Sequence, residues 1–203
     1  MDSMRPCIVG FFDVIGIRRA LQHRKADAVQ AMQMLEAHAY GYASQNQDWY
    51  DGLYVWNDSV LAVTYLDVPN RSVLSTFNAL HKFKANLSTN HYLSTVSDAN
   101  IFAICIKGMA FVPTLDGIRA NFSISGSTES KYVYVRASSM ALINCFEIAE
   151  KLGRKHLKEW YVDERIYKDC PESVRAKLKI ADELEMYPDM EKRKVYMGSG
   201  PLF

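Results

Sequence analysis

The feature that most constrains this chain is the stretch Leu53–Tyr65. Two apolar runs, Leu53–Trp56 and Val60–Tyr65, meet across a short polar break, Asn57-Asp58-Ser59. Val, Tyr, Trp and Leu suit strands packed on a sheet, while Asn, Asp and Ser make tight turns. The stretch therefore predicts a β-hairpin with a carboxylate at its tip. Burying a charge is costly unless something pairs with it. Asp58 thus requires a partner, and a metal ion is the partner the rest of the chain supports.

The chain is long enough, at 203 residues, for one domain with a substantial core. A net charge of +1 supplies no general attraction to nucleic acid or to a membrane. The basic residues of Arg154–Lys158 and Glu191–Lys194 read as solvated faces. Cys7, Cys105, Cys145 and Cys170 are widely spaced and form no C-x-x-C pair, which argues against a zinc or redox site. Reduced core thiols in a cytoplasmic protein are the expectation. Asp13 and Arg18-Arg19 interrupt the apolar N-terminal region, so it lacks the pattern of a signal peptide. No apolar run approaches the ~20 residues that span a bilayer. The five histidines show no metal-ligand spacing.

Pro6–Phe12 predicts a buried strand, with Asp13 at its end. A helical pattern runs from Ile17 to about Gln45, with a break near Arg24-Lys25 and Asp27 as the N-cap of the second part. After the hairpin, a helix should end near Leu87 with Val73, Leu74, Phe77, Leu80 and Phe83 on one face. Ile101–Val112 suits strand or helix, and its length with Asp98 as N-cap favours helix. Asp116-Gly117 marks a turn, and Arg119–Gly126 and Lys131–Val135 predict strands. A helix capped by Ser138 extends to about Leu152, with Gly153 as its stop. Trp160–Val162 predicts a last strand, and Glu172–Leu184 a charged amphipathic helix. Residues from Met186 read as a tail or a short edge segment. The whole is a single α+β layer sandwich with helices on one side of the sheet: residues 1–185 form the domain and 186–203 the tail.

If the hairpin pairs beside the first strand, Asp13 and Asp58 meet at one sheet edge. Two carboxylates there repel each other unless a cation lies between them. Oxygen ligands favour magnesium or manganese, and magnesium commonly takes one or two carboxylates plus substrate phosphates. Two such ions could clamp an attacking and a leaving oxygen. The Val14-Ile15-Gly16 turn offers backbone N–H groups to a triphosphate at a helix start. Taken singly, Asp13 also suits a helix N-cap, Asp58 a turn former, Tyr54 a packing residue and Asn144 a buried amide.

Phe11-Phe12-Asp13-Val14-Ile15-Gly16 resembles the F-x-D-(I/V)-x-G signature of class III nucleotidyl cyclases. Asn57-Asp58-Ser59 resembles their second metal motif, Arg119–Gly126 a later strand, and Ala141–Glu150 a helix of the bacterial members. Tyr54, four residues before Asp58, resembles the (R/Y)-x(3–4)-(D/H) pattern of the pyrimidine cyclases of Pycsar anti-phage systems. The likeness spans roughly residues 6–165.

The resemblance implies a ferredoxin-like βαββαβ core in a head-to-tail homodimer. It implies conversion of UTP, or less favourably CTP, to a 3′,5′-cyclic monophosphate that switches on a separate effector. Asp13, Asp58 and the Val14 backbone would hold two magnesium or manganese ions. Tyr54 of one protomer would touch the base bound by the other, because residues four apart on a strand lie about 13 Å apart. Asn144 matches the ribose-contacting Asn. Ile148 stands where the family places Arg, so Arg119, Arg136 or Lys151 would have to supply the cation on the phosphate. A purine nucleotide cyclase and a catalytically silent nucleotide-binding or dimerisation module are the alternatives.

Overall fold

The computed structural model describes residues 4–56, 58–89, 100–111, 138–153 and 159–203. The strands are β1 (Arg5–Ile15), β2 (Gly52–Trp56), β3 (Ser59–Tyr65), β4 (Asn100–Phe111), β5 (Ser138–Ser139), β6 (Trp160–Asp163), β7 (Lys179–Met186) and β8 (Glu191–Gly198). The helices are α1 (Ile17–His23), α2 (Lys25–Gln45), α3 (Val73–Ser88), α4 (Met140–Ile148), α5 (Glu164–Asp169) and α6 (Glu172–Arg175). One sheet runs in the order β2-β3-β1-β4-β6-β8-β7, with β5 paired to β4. Its first half, β4-β1-β3-β2, is antiparallel throughout, and α1–α2 and α3 provide the two crossovers. That is the expected βαββαβ core. β6 then extends the sheet by parallel pairing with β4.

Period-two alternation divides β1 between two cores. Ile8, Phe12 and Val14 point under the helices α1, α2 and α3. Cys7, Val9 and Phe11 point to the opposite face, where α4 lies. The one-sided arrangement of helices therefore describes α1–α3 together with α5 and α6, whose Ile166 and Val174 join the same core, and α4 is an addition on the other face. Gly108 makes that addition possible: a Cβ there would stand 2.8 Å from the Ala141 Cβ. α2 buries Ala28, Ala31, Leu35 and Ala39 at helical spacing. α3 buries Phe77, Leu80, Phe83 and Leu87, and a capping box between Ser72 and Ser75 starts it.

Several expectations are corrected. Asp13 does not end the first strand, because Asp13, Val14 and Ile15 stay paired with Phe102, Ile101 and Asn100 of β4. Arg24, not Asp27, is the N-cap of α2, and Asp27 lies in its first turn. The favoured helix over Ile101–Val112 is β4. Ile101 through Ile106 are all buried on one face or the other, as in a strand at the centre of a sheet. Ser139 rather than Ser138 caps α4. The helix expected over Glu172–Leu184 ends at Arg175, and after a short turn β7 begins at Lys179, where Leu184 and Met186 are buried and Glu183 and Glu185 are exposed. β6 is not the last strand. Residues 191–198, expected as tail, form β8 between β6 and β7. Beyond it Leu202 is buried, and its N–H donates to His81 Nε2 over 3.1 Å. The expected turn at Asp116-Gly117 and the strands over Arg119–Gly126 and Lys131–Val135 lie outside the described residues.

Candidate active site

The β1–β3 register sets Asp13 directly opposite Ser59. Asp58 precedes β3, and its carbonyl accepts the Val14 N–H over 3.0 Å. The hairpin tip is thus tied to the end of β1 by backbone, and the two carboxylates are neighbours. Burial pushes the Asp13 carboxyl up to about 6. The charge of Asp58 adds to that rise, and a hydrogen bond from Ser59 opposes it. The Ser59 hydroxyl donates to Asp13 Oδ1 over 2.5 Å. A carboxyl raised by burial, with a neighbouring carboxylate adding to the rise, is what a shared cation would relieve. Among the described residues no group of three or more His, Cys, Asp or Glu side chains is placed to hold a metal. Magnesium and manganese commonly take one or two carboxylates and complete their shell with substrate oxygens and water, so a pair of carboxylates suits them without a closed protein cage. The pair therefore fits the implied ions.

Beyond Asp13 the chain turns sharply. Val14 buries its side chain beneath the helices, so only its backbone faces the turn. Ile15 is half-buried against the other core. Gly16 takes φ 98°, a left-handed conformation open to glycine, and becomes the N-cap of α1 without a side-chain cap. The first N–H groups of α1 consequently have no intrahelical acceptor.

Tyr54 lies on the same sheet face as Asp13, in the rung Tyr54–Leu61–Phe11 one step further along the strands. Two strand spacings and two residues separate it from Asp13, roughly 12 Å between Cα atoms. The residue is 9% exposed, and burial pushes its phenol up to about 12. Its hydroxyl is buried with no hydrogen-bond partner among the described residues. An orphaned buried hydroxyl is costly in a finished structure. α4 flanks this face and leaves Met140, Ile143 and Phe146 between 40% and 45% exposed. The Phe146 ring stands edge-on to Phe11, 5.4 Å between centroids.

Asn144 does not join this group. It is 1% exposed, and both ends of its amide are used. Nδ2 donates to the Tyr187 carbonyl over 3.1 Å, and Oδ1 accepts the Tyr187 N–H over 2.8 Å. The side chain clamps α4 to the β7–β8 turn. Ile148 is buried in the core. Lys151 is ion-paired with Glu147 at 3.1 Å. Arg119 and Arg136 lie outside the described residues. Reading residues by type missed Ser59, which stood in the motif only as a turn former. The signal was its place next to Asp58, but its partner follows only from the register with β1.

Among the described residues no helix is long and apolar enough to cross a membrane. No protein-family model matches the chain, and no curated protein is similar to it. Solved structures are similar in fold. The guanylyl cyclase Cya2 superposes with a TM-score of 0.57 at 8% identity, over 98% of this chain and 94% of that one. The adenylyl cyclase CyaB from P. aeruginosa gives 0.56 at 9% identity, over 98% and 95%. The dimeric guanylyl cyclase domain of the RhoGC fusion protein from the aquatic fungus Blastocladiella emersonii gives 0.52 at 13%, over 97% of each chain. The chain has the class III cyclase fold.

Proposed function

We propose that this protein is a nucleotidyl cyclase that takes a pyrimidine nucleoside triphosphate, UTP before CTP. The observation that carries the reading is the juxtaposition of Asp13 and Asp58 at the β1–β3 tip, on the fold that adenylyl and guanylyl cyclases share. The reaction is attack of the ribose 3′-oxygen on the α-phosphorus, with pyrophosphate leaving. Bound magnesium or manganese would supply charge neutralisation and a more acidic 3′-hydroxyl. Asp13 and Asp58 would hold the ions, with the Val14 backbone beside them. The turn through Ile15 and Gly16 would present N–H groups to the triphosphate.

Tyr54 supports the choice of base. Neither Lys nor Glu, the residues that the resembling purine cyclases use, stands at that position. Its unpartnered hydroxyl and its distance from Asp13 suit a base held by a second copy of the chain. The apolar stripe Met140, Ile143 and Phe146 on the same side suits a face covered in a homodimer. One catalytic unit, an effector that reads the cyclic product, and a role in anti-phage defence complete the proposal. Arg119 is the proposed cation for the phosphate.

A second reading has its own support. The Asn144 amide is committed to Tyr187, and Ile148 replaces the family's Arg, which favours a silent nucleotide-binding module. Incubating the protein with each of four labelled nucleoside triphosphates and manganese separates the readings. Cyclic UMP or CMP supports the proposal. A cyclic purine product makes it a purine cyclase, and no cyclic product with retained nucleotide binding makes it the silent module.

A further inference from the structure

Ser59 is a small polar residue in a place where an apolar one would pack. It sits at the start of β3, 6% exposed, and the positions that follow it in the same strand, Val60, Leu61, Ala62 and Val63, are all apolar and buried. Serine gains little from such a site, and its hydroxyl needs a partner there. The partner is Asp13 Oδ1 at 2.5 Å, across the strand pair. A hydroxyl has one proton to give, and this one goes to the carboxylate. The bond occupies one oxygen of Asp13 and stops the carboxyl from turning about its Cβ–Cγ bond. Oδ2 is left as the oxygen open to a second interaction. Without that restraint Asp13 would be free to rotate away from the charge of Asp58, which repels it.

We infer that Ser59 is a positioning residue that holds Asp13 ready for a divalent cation shared with Asp58. The inference rests on the cyclase reading, since it assumes that these two carboxylates take an ion. Carboxylates that ligate metals are themselves held by hydrogen bonds, and losing such a bond weakens metal affinity about 10–100-fold. Ser59 has the geometry of that role. It touches the ligand and leaves the ion to Asp13.

The test is a titration of the full chain with Mn²⁺ alone, following free Mn²⁺ by electron paramagnetic resonance. Wild type is expected to bind saturably and Asp58→Ala to lose that binding. Ser59→Ala should raise the apparent Kd by about tenfold or more, and Ser59→Thr, which keeps the hydroxyl, should stay within about threefold of wild type. Thermal unfolding of each metal-free variant confirms that it is folded. Saturable wild-type binding with an unchanged Kd for Ser59→Ala overturns the inference and leaves the cation reading standing. Equal weakening by Ser59→Ala and Ser59→Thr also overturns it, because packing and not the hydroxyl would then be responsible. Absence of saturable binding in wild type overturns the cation reading, and this inference with it.

Discussion

Replacing Asn144 by Ala distinguishes a clamp from a nucleotide contact. The substitution removes two hydrogen bonds, one to the Tyr187 carbonyl and one from its N–H. Each is worth about 1 kcal/mol net, and an orphaned buried partner costs more. The lower figure is taken for each bond. The expected loss is about 2 kcal/mol. In a chain of 203 residues that corresponds to a fall in Tm of roughly 4–8 °C. Urea unfolding should show a lower midpoint with an unchanged slope. Asn144→Asp sharpens the test. At neutral pH its carboxylate can accept the Tyr187 N–H but faces the Tyr187 carbonyl with no proton to give. At pH 4 a protonated carboxyl can donate again, so this variant should recover stability relative to wild type as pH falls. A variant Asn144→Ala that unfolds with wild type and yet cannot turn over nucleotide would refute the clamp and restore the ribose contact.

The Asp13 carboxyl, raised to about 6, makes the metal-free protein less stable as pH rises from about 4 to 6, because the unfolded chain ionises first; Asp13→Asn should flatten that slope and stabilise the protein at pH 7 by up to about 3 kcal/mol, read from Tm against pH. Gly108→Ala drives a methyl into Ala141 and should cost about 1–3 kcal/mol in denaturant unfolding. Gly16→Ala forces a β-carbon into a left-handed conformation, and should lower stability by about 1–2 kcal/mol in the same measurement. Co-expressing an Asp58→Ala chain with a Tyr54→Ala chain should restore one working site per mixed dimer, and a mixture as inactive as its components would count against composite sites.

The hairpin was legible because its signal is local: two apolar runs and three turn residues in a row. Asp13 and Asp58 were legible as a pair because charge at the edge of apolar strands calls for an explanation. What failed to show depended on distant partners. β4 is apolar on both sides, so its run carried no period to separate strand from helix. The charges of β7 resembled a solvated helix face until β8 was set beside it, with Glu183 opposite Lys194 and Glu185 opposite Lys192. Asn144 took its meaning from a turn 43 positions away. Ser59 needed a register that no local pattern records.

That register has a consequence for how the gene can vary. β1 is held on both flanks, residue by residue, against β3 and β4. Inserting or deleting a single codon upstream of Asp13 within β1 would swap inside for outside along the rest of the strand. The acid would then be aimed at the packed aromatics under α3, and Phe12 or Val14 would take its place. Exchanges of one apolar residue for another in Cys7–Phe12 leave that parity intact. Lineages of this chain should therefore tolerate spelling changes in the strand and reject changes in its count.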